Sequence, residues 1–479
     1  MILRHRDRDI LRFDWVEPFG VKNVERNSCN ARFLPLSFRD RVQDADDRTF
    51  AYELEEWLLR RTAPLNRHGI RATLRTLGFD PENPQWKKNL LTFSRALSLN
   101  DVYWIVKDDS SERWADANLY RNPFSTAVAT MAFTGERQKT PRDASTSPEY
   151  STDGNLAKCW RRIDGQVLLY KGGTRTHGGF DENDDCGFEP YSEYYAAQLA
   201  EAMRLPHVDY GLAEFKHRLC STCPLFTSEA VGYLPARELM TRDMALRDTR
   251  FSDIFFFDAL IFNTDRHLGN FGFLVDNETN EISGVAPIFD NGYGLFSQAR
   301  NCLGRPEDEF CDLRRFASRR EPKLYRDWLD IPGGITDEMI DRLKGLEKFE
   351  FRPHEHFTMP GNRLAVIQYF VRKCISDLAA KRGKSTIYAE IAGMRDTINA
   401  KGEADVATEN VAAKVEVAKL TDAALLSVLR ESPTATRTAL AVRFGVSSAT
   451  IARRLKGLQE AGKVRRIGSR KAGTWCVNP

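Results

Sequence analysis

The sequence predicts an α+β protein, and three patterns carry that expectation. Residues 109–235 are rich in short β-type runs, residues 236–400 are mostly helical, and residues 418–479 read as three helical stretches closed by two short basic strands. Residues 1–108 place apolar side chains at helical spacing and predict an N-terminal helical region. Residues 401–417 are small, polar and charged, with few bulky apolar residues, and read as a linker.

Within the first stretch, residues 53–61, 69–77 and 89–97 predict helices, the second closed by Gly78 and then Pro81. In the second, residues 159–163 and 166–170 are strand-like runs joined by Asp164-Gly165, a two-residue hairpin signal. Residues 191–203 then predict a helix with Pro190 just before it, and residues 213–219 and 230–234 predict further strands. In the third stretch, residues 250–263 are apolar nearly all round, as suits a helix inside a core. Residues 271–275 and 286–289 read as strands bracketing 276–284, and residues 363–381 read as an amphipathic helix.

A chain of 479 residues with 42% hydrophobic and 29% charged residues suits a folded protein of several domains. Its longest apolar run, 254–262, contains Asp258 and is too short for a membrane span. The charged N-terminus lacks the apolar stretch of a secretory signal, so a cytoplasmic location away from membranes is expected. The nine cysteines are odd in number and show no framework spacing, which suits a reducing compartment. Cys220 and Cys223 alone have metal-type spacing, without a second ligand pair. The last sixty residues carry eleven Lys or Arg against Asp422, Glu431 and Glu460. That net +8 leaves −5 on the first 419 residues of a chain whose total is +3. A basic module on an acidic body suggests a polyanionic partner.

The chemistry concentrates in Asn263-Thr264-Asp265-Arg266-His267-Leu268-Gly269-Asn270, followed twenty residues later by Phe289-Asp290-Asn291-Gly292. Phosphoryl transfer from a nucleotide needs one carboxylate to take the acceptor hydroxyl's proton and oxygen ligands to hold magnesium on the phosphates. Asp265 fits the first role; Asn270 and Asp290 fit the second. His267 reads as a buttress for the loop, and Arg266 either touches phosphate or pairs with an acid. Lys171 ends the apolar run 167–170, where a lysine can neutralise phosphate charge, although an edge lysine has the same pattern. Glu193 near the start of the next helix is the candidate partner of Lys171, with Glu189 and Glu201 as competitors. Before the first strand of the hairpin, Ser151-Thr152-Asp153-Gly154-Asn155-Leu156-Ala157-Lys158 is small and turn-prone, so its backbone amides can approach phosphate. Gly-x-x-x-x-Gly-Lys-Ser/Thr and Gly-x-Gly-x-x-Gly loops are both missing from the sequence. The glycine pairs at 172–173 and 178–179 suggest a loop able to close over nucleotide.

These motifs, in this order, resemble the HipA-like serine/threonine kinases over roughly residues 145–300, and more loosely to about 395. The Asp-Arg-His-x-x-Asn core is also similar to phosphatidylinositol-kinase catalytic loops. The resemblance implies a bilobal protein-kinase-like fold, with a β-rich N-lobe at 109–235 and a helical C-lobe at 236–400. It implies ATP and Mg²⁺ as cofactors and a protein substrate with a Ser or Thr acceptor. By the same resemblance Asp265 is the catalytic aspartate, Asn270 and Asp290 are the magnesium ligands, Lys171 is the ATP-contacting lysine, and Ser151 is a candidate autophosphorylation site. A phosphate there would place negative charge where ATP phosphates bind, and so should inhibit.

At the C-terminus, residues 420–429 predict a helix capped by Thr421, residues 436–444 a second, and residues 447–461 a third ended by Gly462. Residues 464–467 and 474–477 predict strands around 468–473. Together they read as a winged helix-turn-helix, with Ser448, Arg453 and Arg454 on the helix that would enter the major groove and Arg470 and Lys471 approaching backbone phosphate. DNA is the expected partner, and protein docking is the alternative. Two other readings of the whole chain stand beside the protein kinase: a lipid or small-molecule kinase, and a transcriptional regulator that senses nucleotide without turning it over.

Overall fold

The computed structural model describes residues 1–16, 20–42, 44–139, 144–174, 187–298, 334–346, 348–359, 362–381, 421–431 and 440, and in the last segment 451, 454–455, 457–459, 461–467 and 474–477. The chain divides into two compact units, Met1–Arg395 and Asp396–Pro479.

The first unit begins with a sheet where helices alone were expected. Strands β1 (Ile2–His5), β2 (Arg8–Val16) and β3 (Gly20–Arg26) are joined by β4 (Tyr103–Val106) in the order β3-β2-β1-β4. Helices do form over Asp47–Arg60 (α1), Ile70–Thr76 (α2) and Trp86–Ser94 (α3), so the expected helical region is instead a mixed one. Two register shifts interrupt the period-2 pattern, between Leu3 and Arg4 and between Arg12 and Asp14. The strand that pairs with the other side of β1 lies about a hundred residues away. Both features hide the sheet from a local reading of the sequence. Leu3, Ile10, Leu11 and Phe13 pack against Phe50, Leu54, Trp57 and Leu58 of α1. Asp46 caps α1 by accepting the Thr49 amide hydrogen at 2.7 Å.

After α4 (Thr126–Thr134), a second antiparallel sheet runs in the order β5-β6-β8-β7: Lys158–Ile163, Gln166–Gly172, Arg218–Pro224 and Gly211–Phe215. Asp164 (φ 48°) and Gly165 (φ 82°) make the expected turn between β5 and β6. The single strand expected over 213–219 is a hairpin, because Lys216 and His217 take positive φ without the Asn or Gly that would have announced a turn. Helix α5 (Glu189–Ala202) follows β6 in sequence and packs on this sheet.

Strand β9 (Val231–Pro235) leaves that sheet and pairs with β10 (Gly272–Asp276), which also pairs with β11 (Glu281–Val285). The strand expected at 286–289 is therefore displaced. Residues 281–285 face mostly outward and lack an apolar alternation, whereas 286–289 contributes only a bridge between His207 and Ile288. Between β9 and β10 lies α6 (Ser252–Ile261), whose phenylalanines share one core with Tyr195 and Leu199 of α5 and with Val366, Ile367 and Phe370 of a long C-terminal helix. After α7 (Asp337–Leu343), that helix is α8 (Arg363–Lys381), at the expected bounds. Phe262 ends α6 in the left-handed region (φ 55°) and stacks against Phe296. This holds a bulky residue where glycine is usual, so packing outweighs a local cost of about 1–2 kcal/mol. The motif loop starts at the next residue.

The second unit contains α9 (Asp422–Glu431), with Thr421 Oγ1 accepting from the Ala424 amide at 3.2 Å, and the antiparallel pair β12 (Val464–Ile467) and β13 (Thr474–Val477). Ile451, Leu455 and Leu458 lie at i, i+4 and i+7 and join Leu425, Leu429, Leu440, Val464 and Trp475 in one small core. The linker at 401–417, the wing tip at 468–473, and the second expected helix apart from Leu440 lie outside the described residues.

Candidate active site

The motif loop is organised from beneath by Arg266. Its side chain is 1% exposed and meets Asp258 of α6 in a two-pronged pair, Nε to Oδ2 at 2.7 Å and Nη2 to Oδ1 at 2.8 Å. The same guanidinium donates to the carbonyls of Asn270 (2.9 Å) and Phe289 (2.7 Å) and to Asn291 Oδ1 (2.8 Å). Of the two roles open to Arg266, pairing with an acid is the one observed. Its planar fork ties the core helix, the 263–270 loop and the 289–291 segment to one another. Asn263 Nδ2 adds a bond to Asp258 Oδ1 at 2.9 Å.

Asp265 and Asp290 are thereby set on the wall of one cleft of about 280 Å³, lined also by Gly154, Asn155, Leu156, Lys158, Lys171, Thr264, His267 and Tyr293. Asp290 adopts φ 58°, a conformation that Asp tolerates better than most residues, and its amide donates to Tyr210 Oη at 3.2 Å. Lys171 Nζ donates to Glu193 Oε1 at 2.6 Å and also contacts Asp290 Oδ1. Glu193 Oε2 accepts the Asn291 amide at 2.9 Å. This settles the choice among the three glutamates. Glu189 accepts from Thr174 and Gln298, Glu201 pairs with Arg352 at the surface, and Glu193, fully buried, faces the lysine.

Electrostatics follow from this geometry. Burial works against the Lys171 charge, but Asp290 and Glu193 override it and hold the ammonium well above its usual range. Burial likewise opposes the Asp290 carboxylate, and Lys171 and Lys158 outweigh it, holding Asp290 well below the usual carboxylate range. Lys158 and Lys171 are directly opposite one another on β5 and β6. Burial, and then the Lys171 charge, bring Lys158 down to about 8.

The expected residues do not all reach the cleft. Ser151 stands at the start of the loop and donates to the Pro148 carbonyl at 3.4 Å, and it is not among the cleft-lining residues. Asn270 is 2% exposed and sits one layer deeper, its Oδ1 accepting the His267 amide at 2.9 Å and its Nδ2 donating to the Asp265 carbonyl at 3.1 Å. His267 Nδ1 accepts the Gly269 amide at 3.0 Å, which matches the buttress role. Gly154 takes φ 88°, a left-handed conformation that favours glycine, and a Cβ there would also press on Lys158 Nζ, 2.4 Å away. Cys220 and Cys223 are three apart on β8 and so face opposite sides of it; among the described residues no group of three His, Cys, Asp or Glu is gathered for a metal.

Sequence reasoning missed Asp258, Tyr210, Asn291 and Tyr293. Asp258 had a signal, being the one charge inside the apolar run 254–262. Of the residues expected to meet DNA, Arg454 is exposed and pairs with Asp422 at 2.8 Å. Ser448, Arg453, Arg470 and Lys471 lie outside the described residues, as do the glycines at 178–179. Among the described residues no helix is long and apolar enough to cross a membrane.

Removing one partner of a buried pair leaves the other charge uncompensated. Arg266→Met should cost about 3–5 kcal/mol of stability in urea unfolding. A loss below about 1 kcal/mol would show that the guanidinium is not what holds the loop.

Residues 420–465 match the family described as winged helix-turn-helix DNA-binding. The serine/threonine-protein kinase CtkA of Helicobacter pylori is 29% identical over 150 residues, which is 26% of this chain and 45% of that kinase, so the match spans under half of the relative's length. Among solved structures, the proinflammatory kinase CtkA of Helicobacter pylori gives a TM-score of 0.31 at 16% identity, covering 50% of this chain and 95% of that one. HipA of Shewanella oneidensis, in a toxin–antitoxin complex with HipB and operator DNA, gives 0.38 at 12%, covering 83% and 95%. The chain thus combines a region similar in sequence to a serine/threonine kinase with a C-terminal winged helix-turn-helix domain.

Proposed function

We propose that the chain is an ATP- and magnesium-dependent protein serine/threonine kinase joined to a DNA-binding winged helix. The observation that carries this reading is the convergence of Asp265, Asp290, Lys158 and Lys171 on one cleft, with Glu193 fixing Lys171 from behind. Similarity to a serine/threonine-protein kinase over 150 residues supports it independently.

In this reading Lys171 and Lys158 neutralise phosphate charge, and the amides of Asn155 and Leu156, which line the cleft, offer hydrogen bonds to phosphate oxygens. Asp265 orients the acceptor hydroxyl and takes its proton as that oxygen bonds to the γ-phosphorus and the bond to the ADP oxygen breaks. The donor set fits magnesium, which needs one or two carboxylates beside phosphate oxygens and water: Asp290 lines the cleft, and Asn270, whose side-chain oxygen accepts the His267 amide, would be the second ligand. Bound there, the ion would supply positive charge to the phosphate oxygens. A Ser or Thr on a protein is the proposed acceptor, and Ser151 of the chain itself is a candidate. A cytoplasmic setting belongs to the same reading, on the odd number and scattered spacing of the cysteines in the sequence. The deep position of Asn270 favours one second reading, in which nucleotide is bound and sensed without turnover.

Incubation with labelled ATP and magnesium, alone and with cell lysate, separates the two readings. Transfer should fall by about 10²–10⁴ in Asp265→Ala, with label on the chain mapping to Ser151. Equal labelling of variant and wild type would remove Asp265 from catalysis, and nucleotide binding without transfer would favour sensing.

The Lys158 charge gives the site a pH signature. Its folded-state value of about 8 lies below the ordinary 10.5, so between those two pH values the unfolded chain binds more protons, and this group's contribution to stability rises with pH. Nucleotide affinity should move oppositely, because the cation facing phosphate is lost. The Kd for a non-hydrolysable ATP analogue should rise about tenfold from pH 7.5 to 9, and Lys158→Arg should flatten that rise. A flat wild-type profile would remove Lys158 from phosphate binding.

For the C-terminal domain, an electrophoretic shift on DNA should weaken steeply between about 50 and 200 mM salt as counterions are released. The absence of any shift at low salt would leave protein docking as the role.

A further inference from the structure

We infer that residues 63–69 of the N-terminal segment belong to the framework of the nucleotide site, with Arg67 as the positioning residue that sets the shape of the loop at 151–158. The inference rests on the nucleotide reading given above. Arg67 is 3% exposed and spends its guanidinium on main-chain oxygens of that loop and its flanks. Nη1 donates to the carbonyls of Glu149 at 2.7 Å and Thr152 at 2.9 Å, and Nη2 donates to the carbonyl of Lys158 at 2.9 Å. Neighbouring amides reach the same segment: Ala63 donates to the Tyr150 carbonyl at 2.6 Å and His68 to the Asn155 carbonyl at 3.0 Å.

These bonds grip the loop at both ends and near its middle. Only a planar, multi-donor cation can satisfy carbonyls at residues 149, 152 and 158 together, and a lysine ammonium lacks that fork. Arg67 is itself held. Gly69 (φ 76°) passes so close to α4 that a Cβ would lie 2.5 Å from the Met131 carbonyl, which fixes the chain just after the arginine. The carbonyls of Glu149, Tyr150, Thr152, Asn155 and Lys158 are thus committed to the N-terminal segment, while Gly154, Asn155 and Leu156 line the cleft. The Asn155 and Leu156 amides can then serve phosphate without first losing the entropy of ordering. On the other side, Arg237 holds Asp153 at 2.5 Å, but that pair is half exposed and a weaker constraint. Part of the region expected as N-terminal helices is therefore a structural support of the cleft.

The test uses the full chain. In Arg67→Lys the KM for ATP in phosphotransfer should rise about tenfold, with kcat within about threefold of wild type, because phosphate binding is loosened while Asp265 stays in place. A folded variant with unchanged KM, or with only a lower Tm, overturns the inference. Hydrogen exchange on the wild type decides the matter if the variant does not fold. A non-hydrolysable ATP analogue with magnesium should slow exchange at Ala63 and His68 together with residues 151–158, and protection confined to the loop overturns the inference. A wild type that binds no nucleotide overturns the proposed function and this inference together, whereas tight binding by wild type and Arg67→Lys alike overturns the inference alone.

Discussion

The described site depends on one buried charge pair. Asp258 sits in a helix that is otherwise apolar nearly all round, and in that setting an unpaired carboxylate would be prohibitive. Arg266 compensates it and, because a guanidinium presents several donors in a plane, has hydrogen bonds left for Asn270, Phe289 and Asn291. The loop carrying Asp265 and the segment carrying Asp290 are therefore registered against the same rigid helix. Two acids more than twenty residues apart in sequence are held in one cleft.

The opposite wall is built from the sheet. Cross-strand pairing of Lys158 with Lys171 places like charges side by side, an arrangement that costs stability unless anions are near. Glu193 and Asp290 compensate Lys171; Lys158 has the Asp153 carbonyl at 2.8 Å and pays through its lowered affinity for protons. The cleft thus sets Lys158, its charge only partly compensated, close to a loop rich in small residues, a combination that suits phosphate. The bonds from Arg67 and His68 extend this construction into the N-terminal segment, so the cleft draws on three parts of the chain that the sequence presents as separate.

Much of this was legible because the chemistry is local. The Asp265 to Asn270 spacing, the Asp-Asn-Gly segment after Phe289, and a strand ending in Lys171 all lie within a few residues of their structural context. The helix over 363–381 and the Asp164-Gly165 turn have strong patterns of their own. What stayed hidden depends on distant pairing or on unannounced backbone conformations. The β1–β4 pairing spans a hundred residues, the Lys216-His217 turn carries no glycine, and β11 shows no alternation. Arg67 drew no reading from the sequence, since nothing near it reveals three carbonyls eighty or more residues away. The depth of Asn270 follows from packing beneath the loop, which spacing alone does not encode.

The central claim is that the two walls face a single nucleotide. A crystal structure of the full chain with magnesium and a non-hydrolysable ATP analogue tests it most directly. The account predicts the triphosphate between residues 151–158 and Lys171, with the metal on Asp290 and the Asp265 carboxylate facing the γ-phosphoryl group. An analogue bound elsewhere at saturating concentration, or one in the cleft with Asp265 and Asp290 turned away from its phosphates, would contradict it.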